Sequence, residues 1–121
     1  MKTYLSKKFN FESAHRLDGI DPENSRIHGH SYKCIVEVSG EPDLERGWLF
    51  QMSDFHQTIK PIIRGLDHQY LNEIMDRPTT AEMLSSYIWE KIIIRGLPQG
   101  IKLESVRVCK CDICAEVRGG G

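Results

Sequence analysis

Two short stretches hold three of the five histidines of this chain, and they constrain its fold more than any other feature. They read FNFESAHRL (residues 9–17) and RIHGHSYKCIVEV (residues 26–38). Each stretch has the apolar and β-branched content of a strand. Because side chains alternate faces along a strand, His28 and His30 would point the same way, roughly 6–7 Å apart. If the strand that carries His15 pairs beside them, three imidazoles converge.

Three neutral imidazoles form a ligand set for zinc that leaves one tetrahedral position open, as in catalytic rather than structural sites. Gly29 adds no side chain between its two neighbours and allows another group to approach closely. An H-x-H pair is a weak motif by itself. Spacing alone therefore leaves a second interpretation open, in which HGH is a loop and His15 is a hydrogen-bonded strand histidine.

Composition indicates one globular domain, residues 1–121, with a modest core. The net charge of -1 gives no indication of a nucleic-acid partner or of an anionic membrane surface. The beginning of the chain lacks the apolar run of a signal peptide, and no segment has membrane-spanning length. The four cysteines are therefore expected to be reduced thiols of a cytoplasmic protein. The final three glycines are expected to fray.

The hydrophobic pattern predicts the element order β-β-α-α-β-β. Ser53 is the expected N-cap of the first helix, and Pro61 should kink or shorten that helix. Thr79 and Glu82 fit a capping box at the start of the second helix. The expected strands cover residues 2–12, 29–40, 101–110 and 113–118.

These elements predict an α+β fold, with a four-stranded antiparallel sheet and two helices on one face. A sheet of this size exposes edges that oligomerisation can cover.

Four motifs, in this order along nearly the whole chain, resemble the 6-pyruvoyltetrahydropterin and 6-carboxytetrahydropterin synthase family. They are FNFESAHRL, HGHSYKCIVEVSG, LDHQYLN (residues 66–72) and RPTTAEML (residues 77–84). The resemblance implies a tunnelling fold, in which sheets join edge to edge into a trimeric barrel and two trimers stack into a homohexamer. It also implies that sites lie between subunits, that the substrate is 7,8-dihydroneopterin triphosphate, and that Zn2+ is bound by His15, His28 and His30.

Asp67 and His68 resemble the Asp–His pair of the family. A carboxylate bonded to one ring nitrogen fixes the tautomer and raises the basicity of the other nitrogen, which suits a proton relay. The alternative for His68 is a helix C-terminal cap. Thr79 and Thr80 match a turn that contacts the substrate in the family, and helix capping is the alternative for both.

The chain departs from the family where a catalytic cysteine is expected, four residues before the first histidine of HGH. Asn24 stands there, and an amide cannot ionise to abstract a proton. A branch that cleaves the side chain for folate synthesis carries a glutamate three residues before that histidine, where this chain has Ser25. Glu23 lies five residues before it and could act as the base if the loop bulges.

A second departure concerns the pterin ring. The family places a glutamate in the third strand, whose carboxylate accepts N–H groups of the ring, and Lys110 stands at that position here. A lysine ammonium has three donors and no acceptor. Asp112 or Glu116 could replace the carboxylate if the strand carries a bulge; otherwise the substrate is not a standard pterin.

The cysteines offer no clear substitute for the missing thiol. Cys34 shares strand parity with His28 and His30 but would lie roughly 13 Å beyond His30. Cys109, Cys111 and Cys114 form C-x-C-x-x-C, a spacing that fits either a soft metal or a reduced cluster at a strand end.

Three hypotheses follow. The first is a zinc-dependent lyase with an altered proton relay, of the 6-carboxytetrahydropterin synthase type (a step toward the 7-deazaguanine precursor of queuosine) or of the 6-pyruvoyl type. The retained histidines and the Asp67–His68 pair favour it. The second is a lyase that cleaves the pterin side chain toward the folate precursor and uses Glu23. The third is a non-catalytic, oligomeric module that binds zinc or a ligand.

Overall fold

The computed structural model describes residues 1–119, so the last two glycines of the terminal triplet lie outside the described residues. The main-chain N–H of Gly119 donates to the carbonyl of Glu104 at 2.9 Å. The expectation of fraying is therefore wrong for Gly119, because this bond continues the pairing of the last two strands.

The α+β architecture is confirmed. The elements are β1 Thr3–His15, β2 His28–Gly40, α1 Met52–Arg64, β3 Gln69–Tyr70, α2 Leu71–Ile74, α3 Ala81–Arg95, β4 Lys102–Lys110 and β5 Ile113–Arg118. The strands form one sheet in the order β3-β1-β2-β4-β5. Neighbouring strands are antiparallel except β3, which pairs parallel to β1 over two residues. The short elements β3 and α2 were not predicted, because two to four residues are too few to show a hydrophobic period.

The hydrophobic core lies between one face of the sheet and the helices α1 and α3. Alternate residues of β1, β2 and β4 are buried, as expected for a sheet covered on one side. Phe11 and Tyr32 are cross-strand partners, and their rings stack with centroids 4.9 Å apart. The helices contribute Phe55, Ile59, Ile63, Leu84, Ile88 and Ile92, all 0–1 % exposed.

Both predicted helix starts are wrong by a residue or two. The cap of α1 is Gln51, whose side-chain oxygen accepts from the N–H of Asp54 at 3.0 Å, and not Ser53. The cap of α3 is Thr80, whose hydroxyl accepts from the N–H of Met83 at 3.2 Å. Thr79 is unavailable as a cap because it is buried and bonded elsewhere, as described below.

Pro61 does not shorten α1, which continues to Arg64. Proline lacks the N–H that would bond the carbonyl four residues earlier, so the carbonyl of Gln57 has no helical donor. The guanidinium of Arg95 donates to that carbonyl at 3.4 Å. A side chain from α3 thus supplies a donor for the carbonyl that Pro61 cannot bond.

Cys109 and Cys114 form a disulfide, so the expectation that every cysteine is reduced is wrong for this pair. The register of the β4–β5 hairpin places the two residues directly opposite each other. Cys34 and Cys111 are free, the first buried and the second exposed. Among the described helices, none has both the length and the apolar content needed to cross a membrane.

Candidate metal centre and proton relay

The register of β1 and β2 brings the three histidines together. His15 pairs with His28, and Ser13 pairs with His30, so all three imidazoles point to the core side of the sheet. One ring nitrogen from each histidine lies within 4.8 Å of the others. The loop interpretation of HGH is wrong, because β2 begins at His28.

The Nδ1 atoms of the cluster are bonded away from its centre. His15 Nδ1 lies 2.9 Å from the carbonyl oxygen of Thr79, and His28 Nδ1 lies 2.8 Å from that of Arg26. A carbonyl can only accept, so these nitrogens carry the hydrogen and each Nε2 keeps its lone pair. This is the outer-shell pattern that fixes the tautomer of metal-binding histidines.

The Nε2 atom of His15 gives the strongest indication that the cluster binds a metal or another ligand. Its side chain is 0 % exposed, and its Nε2 has no hydrogen-bond partner among the described residues. Buried polar atoms are almost always paired, and leaving one unpaired costs stability. Burial lowers the pKa of His15 to about 4, so the ring is neutral near pH 7, the form that binds metals. The cluster therefore fits the three-imidazole set of zinc.

Lys110 lies beside the cluster, on the same face of the sheet. Its cross-strand partner in β2 is Tyr32, which lies two residues after His30 on the same face of the sheet. Burial lowers the pKa of His30, and the charges of Lys110 and His28 lower it further. A lysine ammonium beside a cluster suited to a metal cation makes this end of the sheet attractive to an anionic ligand.

Tyr32 forms part of the wall of the cluster, with ring centroids 5.9 Å from His30 and 6.2 Å from His15. Its hydroxyl is buried without a hydrogen-bond partner among the described residues, and burial raises its pKa to about 12. The hydroxyl is therefore a neutral donor near pH 7.

Asp67 and His68 form the predicted pair. Asp67 Oδ2 lies 3.0 Å from His68 Nδ1, and Asp67 Oδ1 accepts from the N–H of Glu12 at 2.9 Å. The Glu12 amide and the imidazole together hold the pKa of Asp67 below its usual range. His68 does not cap α1, because Gly65 is the C-cap residue.

The main chain fixes His68 at the edge of β1. Its φ is 56°, and its N–H donates to the carbonyl of Glu12 at 2.6 Å. The ring is exposed and faces a cavity of about 530 Å³. No hydrogen bond between described residues joins it to the histidine cluster. The cavity is lined by Glu12, Ser13, Ala14, Gly29, His30, Ser31, His68, Gln69 and Tyr70.

The loop before β2 contains the other two predicted catalytic residues, Asn24 and Glu23, and no described hydrogen bond joins their side chains to the cluster. The side-chain amide of Asn24 donates to the Asp21 carboxylate at 2.8 Å, and the main-chain carbonyl of Asn24 accepts from the N–H of Leu17 at 2.7 Å. Glu23 is exposed, and none of the described hydrogen bonds or ion pairs involves its carboxylate.

Two contacts of the cluster were missed from the sequence. Thr79 was assigned to capping and substrate contact, but its carbonyl bonds His15 and its hydroxyl lies 3.1 Å from the same nitrogen. The C-x-C-x-x-C spacing predicts no contact of Cys111 with the cluster, but its Sγ lies 3.8 Å from His30 Nδ1. The only available signal was the C-x-C spacing at the end of a strand that reaches the cluster.

The lowered pKa of His15 predicts a pH dependence of stability in the metal-free protein. The unfolded chain binds a proton with a pKa near 6.5, and the folded one only near 4. Stability is therefore complete above pH 6.5 and is lost as the pH falls toward 4, by up to about 3 kcal/mol. Urea unfolding of the chelator-treated protein across this range measures the loss.

His15→Asn provides the comparison, because asparagine keeps a donor for the Thr79 carbonyl but does not titrate. Its free energy of unfolding should fall less steeply between pH 6.5 and 4. Parallel profiles for the two proteins would contradict the assignment of the loss to His15.

Comparisons with known proteins agree with this geometry. Dihydroneopterin monophosphate aldolase of Pyrococcus furiosus is 32% identical over 104 residues, which are 86% of each chain. Human 6-pyruvoyl tetrahydrobiopterin synthase is 32% identical over an alignment that covers 89% of this chain and 85% of the human one. The structure of Caenorhabditis elegans 6-pyruvoyl tetrahydropterin synthase superposes with a TM-score of 0.85 at 20% identity, covering 99% of this chain and 97% of that one. Because the family model described as 6-pyruvoyl tetrahydropterin synthase also matches residues 4–119, the chain belongs to that family.

Proposed function

We propose that this protein is a zinc-dependent lyase that cleaves the side chain of a 7,8-dihydroneopterin phosphate. The observation that carries the proposal is the convergence of three imidazoles around the buried, unpartnered Nε2 of His15, in a chain of this family. His15, His28 and His30 would hold the ion. When bound, zinc polarises oxygen groups of a ligand and so makes their hydroxyl protons more acidic.

The proton chemistry of the chain favours cleavage of a carbon–carbon bond. Synthase-type reactions require removal of a proton from carbon, for which the family uses a thiolate where this chain has Asn24. Side-chain cleavage begins with a hydroxyl proton, which is far more acidic, so it does not need that thiolate. The relative from Pyrococcus furiosus is named an aldolase for dihydroneopterin monophosphate, which supports the same choice.

The proposed reaction balances without a further reactant. A base takes the proton of the 2′-hydroxyl, the C1′–C2′ bond breaks, and C2′ becomes the aldehyde of a phosphorylated two-carbon fragment. The electron pair remains on the pterin side, where C1′ takes up a proton. The second product is 6-hydroxymethyl-7,8-dihydropterin.

Asp67 and His68 are the proposed proton relay. Asp67 Oδ2 lies 3.0 Å from His68 Nδ1 and accepts its hydrogen, which leaves Nε2 free to accept a proton and return it. Lys110 has donors suited to a phosphate, and we assign it to the anionic end of the substrate.

Of the two predicted substrate contacts at the start of α3 we keep Thr80, because Thr79 is buried and bonded to His15 and Arg16. For Asn24 we propose a positioning contact rather than proton transfer. The use of Glu23 as a base stays a prediction, since its carboxylate is exposed in the loop before β2.

A second candidate is the synthase-type reaction on the triphosphate, of the 6-carboxy or 6-pyruvoyl kind. Two observations favour this reaction. The Asp67–His68 pair resembles the pair of those enzymes, and the chain is 32% identical to the human synthase. It requires a base for the carbon-bound proton other than a residue at position 24.

We also propose that the protein is a homohexamer with sites at subunit interfaces. His30 and His68 line the same cavity of one protomer without a described hydrogen bond between them. The family resemblance implies that sites lie between subunits, which would combine the cluster of one protomer with His68 of a neighbour. The outer edge of β5 is free to pair with another sheet. A cytoplasmic location and the lack of nucleic-acid or membrane partners stay predictions from the sequence.

Removal of one ligand tests the metal assignment. His28→Ala should lower the zinc affinity by about 100-fold or more, because a ligand contributes more than an outer-shell partner does. Zinc content by mass spectrometry measures the loss of the ion. Light scattering should show that the variant keeps the oligomeric mass of the wild type. His56→Ala is the matched control, since His56 stacks on Phe9 outside the cluster and should keep its zinc. Stoichiometric zinc in His28→Ala would refute the ligand set.

Product analysis tests the reaction. Zinc-loaded protein is incubated with 7,8-dihydroneopterin monophosphate and, separately, with the triphosphate, and products are identified by mass spectrometry. We expect 6-hydroxymethyl-7,8-dihydropterin with a phosphorylated two-carbon aldehyde. His68→Ala should lower kcat by about 10²–10⁴-fold with zinc retained. Release of triphosphate with a pyruvoyl or carboxy product would replace cleavage by the synthase reaction, and no turnover with zinc bound would indicate a non-catalytic module.

Mixed oligomers test whether sites are shared between subunits. His28→Ala and His68→Ala chains are co-expressed with different tags, and oligomers that carry both tags are purified. If each site combines a cluster with the relay of a neighbour, about a quarter of the sites in a random mixture regain both parts. Recovery of activity to about that fraction is expected. Absence of recovery in mixed oligomers would place both parts within one subunit.

A further inference from the structure

The C-x-C-x-x-C segment is the one sequence motif that the proposed reaction does not use. Cys109 and Cys114 face each other across the β4–β5 hairpin and are bonded, which leaves Cys111 as the free thiol of the two-residue turn. The Cys111 Sγ lies 3.8 Å from His30 Nδ1, within hydrogen-bond distance for sulfur.

His30 differs from the other two histidines in its Nδ1 partner. His15 and His28 donate to main-chain carbonyls, which every residue supplies. Across residues 1–119, the Cys111 thiol is the only hydrogen-bond partner of His30 Nδ1. The orientation of this one imidazole therefore depends on a particular side chain.

We propose that Cys111 is a positioning residue that holds His30 in the Nδ1–H tautomer, with its Nε2 lone pair directed to the metal position. In this arrangement Nδ1–H would donate to the sulfur, which would make the thiol an outer-shell partner and not a ligand or a base. The buried, unpartnered Nε2 of His15, in the same cluster of ring nitrogens, independently marks that position. The proposal rests on the proposed metal function of the cluster.

The hairpin fixes where the thiol lies. Lys110 and Ile113 are the last paired residues of the two strands, and the disulfide ties the pair before them. Cys111 adopts φ 52°, in the left-handed region that favours glycine. A cysteine here is conformationally unfavourable for the turn, so the turn geometry alone does not account for it.

This conformation provides a variant that removes the thiol without harming the fold. Cys111→Gly should keep or raise Tm, because glycine adopts this φ freely, and should lower the zinc affinity about 10–100-fold. Cys111→Ser should fall between this variant and the wild type, because a hydroxyl also accepts but reaches less far. Asp112→Ala, in the same turn, is the matched control and should bind zinc like the wild type. Unchanged affinity in Cys111→Gly would overturn the proposal.

A direct readout of the tautomer separates positioning from general effects on structure. In metal-free protein with ¹⁵N-labelled histidine, long-range ¹H–¹⁵N spectra should show His30 as the Nδ1–H tautomer. In Cys111→Gly it should shift toward the Nε2–H form, while His15 and His28 stay unchanged. An unchanged His30 tautomer would overturn the proposal. Because this measurement needs no metal, it stays decisive for Cys111 even if the protein fails to bind zinc.

Cobalt substitution distinguishes an outer-shell thiol from a ligand. The Co2+-loaded wild-type protein should lack the near-ultraviolet charge-transfer band that a cobalt-bound thiolate produces. Such a band, if it disappears in Cys111→Ser, would make Cys111 a metal ligand and would overturn the positioning role.

Discussion

The site depends above all on the register between β1 and β2. The pairing of His15 with His28 puts all three imidazoles on the core side of the sheet, directly beyond the stacked rings of Phe11 and Tyr32. A slip of one residue would turn one strand's histidines to the opposite face and would also expose that strand's apolar side chains. The same burial that stabilises the fold therefore specifies the histidine cluster, and no separate device is needed to choose the register.

The strand ends are held by segments far along the chain. The Thr79 carbonyl bonds His15, the Asn72 side chain bonds both main-chain groups of Arg16, and the Asp67–His68 segment bonds both main-chain groups of Glu12. These contacts lie where the apolar core ends and polar groups begin. The segments between α1 and α3 thus hold the end of β1 in place by hydrogen bonds. These bonds bring LDHQYLN and RPTTAEML next to FNFESAHRL in space, although the bonded residues are 55 to 64 positions apart in the chain.

Strand parity placed His28 and His30 on one face, but the spacing left a loop open as the alternative, and the family resemblance was needed to add His15 to a single ligand set. The partners of the cluster were not predictable in this way. Thr79 and Thr80 both fit a helix cap, and only the folded chain shows that burial commits Thr79 to His15 and leaves Thr80 to cap α3. Likewise, Pro61 by itself predicted a kinked or shorter helix. The bond from Arg95 to the Gln57 carbonyl depends on how two helices pack, which a local pattern does not show. Local signals predicted elements, and tertiary hydrogen bonds decided their ends.

The chain combines a three-histidine cluster that fits a metal ion with nearby groups that depart from the family pattern. A metal bound by three imidazoles can acidify hydroxyl groups in several reactions, so the ligands by themselves do not choose among them. What distinguishes the reactions is which proton must be moved and which side chain can move it. Asn24, bonded to Asp21, offers no ionisable group, whereas His68 is exposed and held by Asp67. In this chain, the groups that would choose among these reactions lie in the loop before β2 and at the end of β4, apart from the β1–β2 pairing that builds the cluster.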